Sequence, residues 1–436
     1  MEFEKIGLGR VARVKNGYAY KSKDYIENGV PVVKIKNIVP PIITLEGCDF
    51  VDEDIFKQTI DYSLEYGDIL ISMTGSGVNQ MSSAVGKVGR VNFRERALQN
   101  QRVGKIEIID NSKYDINFLY YYISQNRLLE YFVANSTGSA NQANISKKII
   151  ENTPIPNFRL SKQKKISYIL SLLDKKIEIN NKIIDNLEVQ AQAIFKSWFV
   201  DFEPFQDGNF VESELGLIPE GWKLISLGDF FPVKTGKKNA NIATENGKYP
   251  FFTCSQNILF TDDYSFNENS ILLAGNGDFN VKRFNGKFEA YQRTYVLTPY
   301  HDSLVSFLYN AIEYFLPQIV SGYKGSVINY ITKGMIEDFK IAIPKNLDNN
   351  KNIGIFNIMD KNILKLKKEN DYLVSTRDIL LPKLMSGEID VSNIKIDDED
   401  TNHEWDISWR WIWEIIYRIY WGLRLHLCTS PRYSKG

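Results

Sequence analysis

The fold is decided by ISYILSLLDKKIEINNKIIDNLEVQAQAIFKSW, residues 166–198. Apolar residues fall at Ile166, Leu170, Leu173, Ile177, Ile184, Leu187, Ala191, Ile194 and Trp198, in steps alternating four and three, with Asn180 filling the one gap. Spacing that averages 3.5 residues places all of them on a single stripe that another helix can cover. A second such stripe follows later: Phe356, Met359, Ile363, Leu366, Asn370, Leu373 and Leu380, again with one Asn in the seam. Helices over 161–203 and 349–385 would run about 65 and 55 Å. If they pair antiparallel with Asn180 opposite Asn370, then Ile177 meets Leu373, Ile184 meets Leu366, Leu187 meets Ile363 and Ala191 meets Met359. A buried Asn pair would fix that alignment, because a slip leaves an amide against a leucine. Asparagines at the solvent edge of the seam would not, and the pattern alone leaves both readings open.

Outside the helices the chain repeats itself at a very long period. Leu8-Gly9-Arg10 leading to Gly17 is echoed by Leu227-Gly228-Asp229 leading to Gly236, and Gln101-Arg102-Val103 by Gln292-Arg293-Thr294. Asp68-Ile69-Leu70-Ile71 before Gly75-Ser76-Gly77 matches Ser270-Ile271-Leu272-Leu273 before Gly275-Asn276-Gly277, a short buried strand ending in a glycine-rich tip. Gly138-Ser139 with Asn144-Ile145-Ser146 is echoed by Gly325-Ser326 with Asn329-Tyr330-Ile331-Thr332. Each copy precedes one of the two helical stripes. Residues 118–132 read as a helix with one apolar face, and 207–221, rich in Gly and Pro, as a linker.

Composition excludes several classes. Of 436 residues, 53 are Lys or Arg and 53 Asp or Glu, and 43% are apolar, which is a globular chain with material for more than one core. Cys48, Cys254 and Cys428 are too few and too far apart for a disulfide framework or a CxxC site, and His301, His403 and His426 form no HExxH. There is no GxxxxGK[ST] phosphate loop, no GxGxxG after a strand and no GxSxG elbow. These absences point towards binding rather than catalysis. Met1-Glu2-Phe3-Glu4-Lys5 opens no apolar run, so no secretory signal is expected and the cytoplasm is the expected compartment.

The balanced charge is unevenly spread. Residues 46–68 hold eight acids and one Lys, and 84–105 hold six bases and one acid. Arg90, Arg94, Arg96 and Arg102 suit phosphate contacts, as do Lys237, Lys238, Lys282, Arg283, Arg293 and Lys324 in the second copy. Asn79, Gln80, Gln101, Asn141, Gln142, Asn276 and Gln292 accompany them near the tips, and amide side chains can pair with base edges. A solvated strand face and ordinary turn duty explain the same residues and, residue by residue, are the commoner case. Two units each presenting such a face would read two sequence blocks separated by a gap.

The chain resembles the specificity (S) subunit of type I restriction-modification systems. The resemblance rests on LGRVARVKNGYAY at 8–20, VPVVKIKNI at 30–38, GDILIS at 67–72, LSKQKKI at 160–166, PEGW at 219–222 before LGD at 227–229, and LLPKLMSGEIDV at 380–391. It implies an α+β fold in which two similar target recognition domains, 1–158 and 207–346, are separated by spacer helices, 159–206 and 347–386, that form an antiparallel coiled coil with a pseudo-two-fold internal repeat. The seam would be Leu173, Ile177, Asn180, Ile184 and Leu187 against Ile363, Leu366, Asn370 and Leu373. It further implies a non-catalytic subunit whose partners are double-stranded DNA, two modification methyltransferase subunits and two restriction subunits, with S-adenosylmethionine, ATP and Mg on those partners and no membrane association. A coiled-coil scaffold that binds only proteins is the other reading. Residues 387–436 depart from the family pattern: Trp405, Trp409, Trp411, Trp413 and Trp421 all lie beyond Asp397.

Overall fold

The computed structural model describes residues 4–76, 85–139, 142–244, 247–321, 330–345 and 351–394. The Trp-rich segment lies outside them, as do Asn79, Gln80, Asn141 and Lys324. Two compact units emerge, Met1–Ile177 with Asp371–Gly436, and Glu178–Asn370. The division cuts both long helices near their asparagines rather than at their ends.

Each unit is built on a mixed six-stranded sheet. In unit 1 the order is Ala12–Asn16, Val103–Ile108, Ile69–Ser72, Val88–Arg90, Ile42–Ile43, Ile38–Val39; in unit 2 it is Val233–Thr235, Thr294–Leu297, Phe266–Ala274, Val281–Ala290, Tyr249–Phe252, Leu259–Thr261. Strand directions match position by position: three antiparallel pairings, one parallel, one antiparallel. The outer hairpin differs, since its second strand joins the sheet in unit 1 and its first in unit 2. A two-stranded ladder also recurs, Lys5–Gly7 with Pro154–Pro156 and Trp222–Ser226 with Lys340–Pro344.

The shared glycines are explained by close approach. A Cβ on Gly17 would lie 2.2 Å from the Gln99 carbonyl oxygen, and one on Gly236 would lie 2.0 Å from that of Ala290. No side chain fits there, so only Gly lets the two segments meet. Gly9 packs on Glu151 as Gly228 packs on Glu337. The tip alignment read from the sequence is corrected by two residues: Ile145 N donates to Met73 O as Ile331 N donates to Gly275 O, so Met73, not Gly75, is the counterpart of Gly275. Matching glycines misaligned the tips because more chain separates the paired residues Ile71 and Val88 in unit 1 than Leu273 and Val281 in unit 2.

The long helices run Leu160–Phe199 and Lys351–Met385, 40 and 35 residues. They are antiparallel, because the contacts Glu188 with Lys367, Asn180 with Asn370 and Asp174 with Arg377 fall in one number as they rise in the other. Within unit 2, Asn180 is fully buried, and its Nδ2 donates to Asn370 Oδ1 at 2.8 Å and to Glu369 Oε2 at 3.0 Å. Along the seam Ile184, Ile363 and Leu373 are buried, and Ile177, Leu187 and Leu366 are half-buried. At the ends the stripe shifts: Phe195 and Phe199 are buried where the heptad pointed to Ile194 and Trp198, and Ile169 joins Ile166 and Leu170. There each helix packs into a globular core and not only on its partner.

Two local expectations are also corrected. Residues 118–132 form two helices, Ile116–Ile123 and Asn126–Ala134, because buried Gln125 takes an extended backbone and ties its amide to Tyr122 O at 2.8 Å. The segment expected to be a linker contains a hairpin, Phe210–Ser213 with Gly216–Pro219, turned at Gly216 with φ +94°. Beyond it Gly221, at φ +86°, turns the chain so that Trp222 packs among Phe199, Phe202 and Phe205, with ring centroids 5.6, 5.2 and 5.1 Å away. The second helix is followed by Gly387, φ +71°, and Leu384, Met385, Ile389 and Val391 are buried in the core of unit 1. No helix among the described residues is long and apolar enough to cross a membrane.

Candidate nucleic-acid interface

In unit 1 several exposed groups converge on one turn. Tyr18 N donates to Gln99 O at 2.9 Å and Gln101 N donates to Tyr18 O at 2.8 Å, so Tyr18 lies against the Gln101-Arg102 turn. Buried Gln99 braces that turn from inside, its Nε2 donating to Lys15 O and Val103 O at 2.9 and 2.8 Å. Met73 N donates to Arg102 O, which ties the turn to the strand Thr74–Gly75, and Ala143 pairs with Gly75, bringing in exposed Gln142. Gln101, Arg102 and Gln142 are all exposed. Side chains with this chemistry on a braced turn can meet phosphate oxygens and base edges without reorganising the backbone.

Unit 2 repeats the construction. Gln292 N donates to Lys238 O at 3.0 Å, and Gly275 N to Arg293 O at 2.8 Å. Asn276 bridges to Tyr330, which is 58% exposed. Lys237, Lys238, Gln292 and Arg293 are exposed around this turn.

The other sequence candidates go elsewhere. Arg90 stacks on Tyr120, 4.1 Å from the ring centroid, and its Nε and Nη2 are buried. Arg283 lies over Tyr309 at 4.8 Å and forms an ion pair with Asp360 of the second long helix, both about 15% exposed. In unit 1 the matching carboxylate, Asp174, accepts from Tyr121 Oη at 2.6 Å and Arg377 Nη1 at 2.9 Å. Burial and the adjacent carboxylate push the Tyr121 hydroxyl well above its ordinary pKa. Arg283 in unit 2 and the Tyr121–Asp174–Arg377 set in unit 1 thus join each globular core to a long helix, whereas Arg90 stays within the core of unit 1. Lys282 is tied to Ser255 O at 2.8 Å and to Asn280 Oδ1, and burial lowers its pKa. Arg96 pairs with Glu53 through bonds of 2.6 and 3.1 Å, and Arg94 lies 5.4 Å from the Tyr66 ring, so both engage the 53–66 segment.

Sequence reading missed Tyr18 and Tyr330. Their signal was present but weak: a tyrosine directly after an obligatory glycine, and one inside the echoed Asn-Tyr-Ile-Thr run. No group of His, Cys, Asp or Glu suited to a metal ion occurs among the described residues. A cavity of about 450 Å³ in unit 1 is lined by Tyr120, Tyr121, Asp174 and Arg377, whose polar atoms already bond one another or the backbone.

Comparison with known proteins gives the family. The specificity subunit of the EcoDI type I restriction enzyme from Escherichia coli is 42% identical over 129 residues, 30% of this chain and 29% of that protein, so the chain spans less than a third of that relative's length. The MjaIX specificity subunit of Methanocaldococcus jannaschii is 29% identical over 304 residues, covering 63% of this chain and 69% of that one. The crystal structure of a type I restriction-modification S subunit from M. genitalium superposes with a TM-score of 0.50 at 19% identity, over 88% of this chain and 96% of that one, a likeness of fold. The model of the type I restriction modification DNA specificity domain matches twice, over residues 1–189 and 219–373, and the chain therefore belongs to that family.

Proposed function

We propose that this chain is the DNA sequence-specificity subunit of a type I restriction-modification complex, each unit reading one half of a bipartite site. The carrying observation is the twice-built tip: Gln101-Arg102 and Gln292-Arg293, each clamped to a neighbouring strand by the same backbone bonds and exposed beside further polar side chains. A scaffold that binds only proteins has no need to brace an amide and a guanidinium identically in two places.

In this reading Arg102, Lys237, Lys238 and Arg293 contact phosphates, and Gln101, Gln142, Asn276 and Gln292 contact base edges. The long helices set the number of base pairs between the half-sites and dock two methyltransferase subunits; two restriction subunits complete the assembly. In this reading the chain is a non-catalytic subunit. Methyl transfer and cleavage, with S-adenosylmethionine, ATP and Mg, belong to the partners.

Zero net charge makes the isolated chain a poor binder of a polyanion, so tight binding needs the partner subunits to neutralise the backbone. The test is DNA affinity against salt, with and without the methyltransferase. Weak binding alone, and tight, site-specific, steeply salt-dependent binding in the complex, is the expected result. Absent or salt-insensitive binding in the complex favours the scaffold.

A further inference from the structure

We propose that Tyr18 determines specificity at one base of the half-site read by unit 1, at the place where unit 2 presents a charged Lys238. The inference rests on the DNA-reading function proposed above and adds to it a difference between the two readers.

The two positions are equivalent by their backbone. Tyr18 forms a parallel bridge with Asn100 and its carbonyl accepts from Gln101 N; Lys238 forms a parallel bridge with Tyr291 and its carbonyl accepts from Gln292 N. Each follows the glycine whose missing Cβ permits the approach, with Lys237 inserted in unit 2. Each therefore stands beside the same exposed Gln-Arg pair. What the two tips share is Gln and Arg; what separates them is an aromatic ring against an ammonium group.

The Tyr18 ring is placed to act on a base. It is 40% exposed, and it is propped edge-on by Tyr20, centroids 5.0 Å apart, and by Tyr62 at 5.6 Å. Tyr20 is itself buried and donates its hydroxyl to Thr59 Oγ1 at 3.2 Å, so the support is fixed. An exposed ring braced from below loses little freedom on contact, and rings meet the thymine methyl or an unstacked base face rather than phosphate. Lys238, a mobile point charge, is suited to phosphate. The first half-site therefore gains discrimination from a contact that salt does not screen, and the second gains affinity from one that it does.

The experiment is methylation mapping in cells that carry the partner subunits, with wild type, Tyr18→Ala, Tyr18→Lys and Lys238→Ala, together with salt titration of the assembled complexes. Expected for both Tyr18 variants is relaxation by roughly 5- to 150-fold at a single position of one half-site, with the other half-site intact. Tyr18→Ala should leave the salt slope unchanged, whereas Lys238→Ala should lower it by about one. Tyr18→Lys keeps a long stem over Tyr20 and guards against a variant that merely fails to fold. Unchanged base preference in both Tyr18 variants, or equal loss at both half-sites, overturns the inference and leaves the DNA-reading function standing. Absence of any specific methylation by the wild-type complex instead removes the function on which the inference rests.

Discussion

Single residues divide into those that brace a unit from within and those that face outward. The Arg283–Asp360 pair is nearly buried, with Ser306 Oγ donating to the other carboxylate oxygen at 2.8 Å. Removing the guanidinium strands a carboxylate, so Arg283→Met should cost roughly 3–5 kcal/mol in denaturant unfolding. Arg96→Ala, which breaks a pair in full solvent, should leave stability nearly unchanged, and an equal cost at the two positions would contradict the division. Glu313 offers a pH test. Burial raises its carboxyl above the ordinary 4.5, neighbouring Glu188 adds to this, and Lys282 opposes it. Between 4.5 and the raised value the folded chain holds a proton that the unfolded chain has released, so stability falls as pH rises through that interval. Glu313→Gln should remove this slope and be more stable than wild type at pH 7; identical pH profiles of melting temperature would refute the assignment.

At the scale of elements, the asparagine layer and the obligatory glycines carry the predictions. Asn180 Oδ1 is buried without a partner, and Asn370 Nδ2 donates outward to Asn181 Oδ1 at 2.8 Å. Replacing both asparagines by leucine should raise stability by about 1–3 kcal/mol, while Asn180→Leu alone should lower it by stranding Asn370. Unchanged melting of the double variant would count against burial of the pair. Gly17→Ala or Gly236→Ala drives a Cβ into backbone and should cost at least 1–3 kcal/mol. Much of this level was legible in the sequence, because a seven-residue repeat and paired glycines are imposed by backbone geometry. The 3.5 spacing located both helices to within a few residues and paired the asparagines. It failed at the helix ends, where Phe195 and Phe199 answer to a globular core; the separate reading of 118–132 as one helix failed at residues 124–125, where one glutamine overrides an apolar face. The tips were partly legible: Gln101, Arg102, Gln292 and Arg293 are exposed, whereas Arg90 and Arg283 turn inward onto tyrosines that lie far away in sequence. Composition cannot separate a phosphate-binding arginine from one that clamps a helix.

At the scale of the whole molecule, the same sheet order, the same glycine approaches and the same Gln-Arg turn occur twice in one chain of the specificity-domain family. If each copy reads DNA as proposed, duplication implies separable readouts. Exchanging residues 207–346 for the corresponding segment of a relative should leave one half of the recognised sequence unchanged and replace the other. The most direct test is genome-wide mapping of methylated bases in cells that carry this chain with the methyltransferase subunit proposed as its partner, before and after that exchange. The account predicts a bipartite site with a fixed gap, of which one half alone changes. A continuous site, or an exchange that alters both halves, would contradict it.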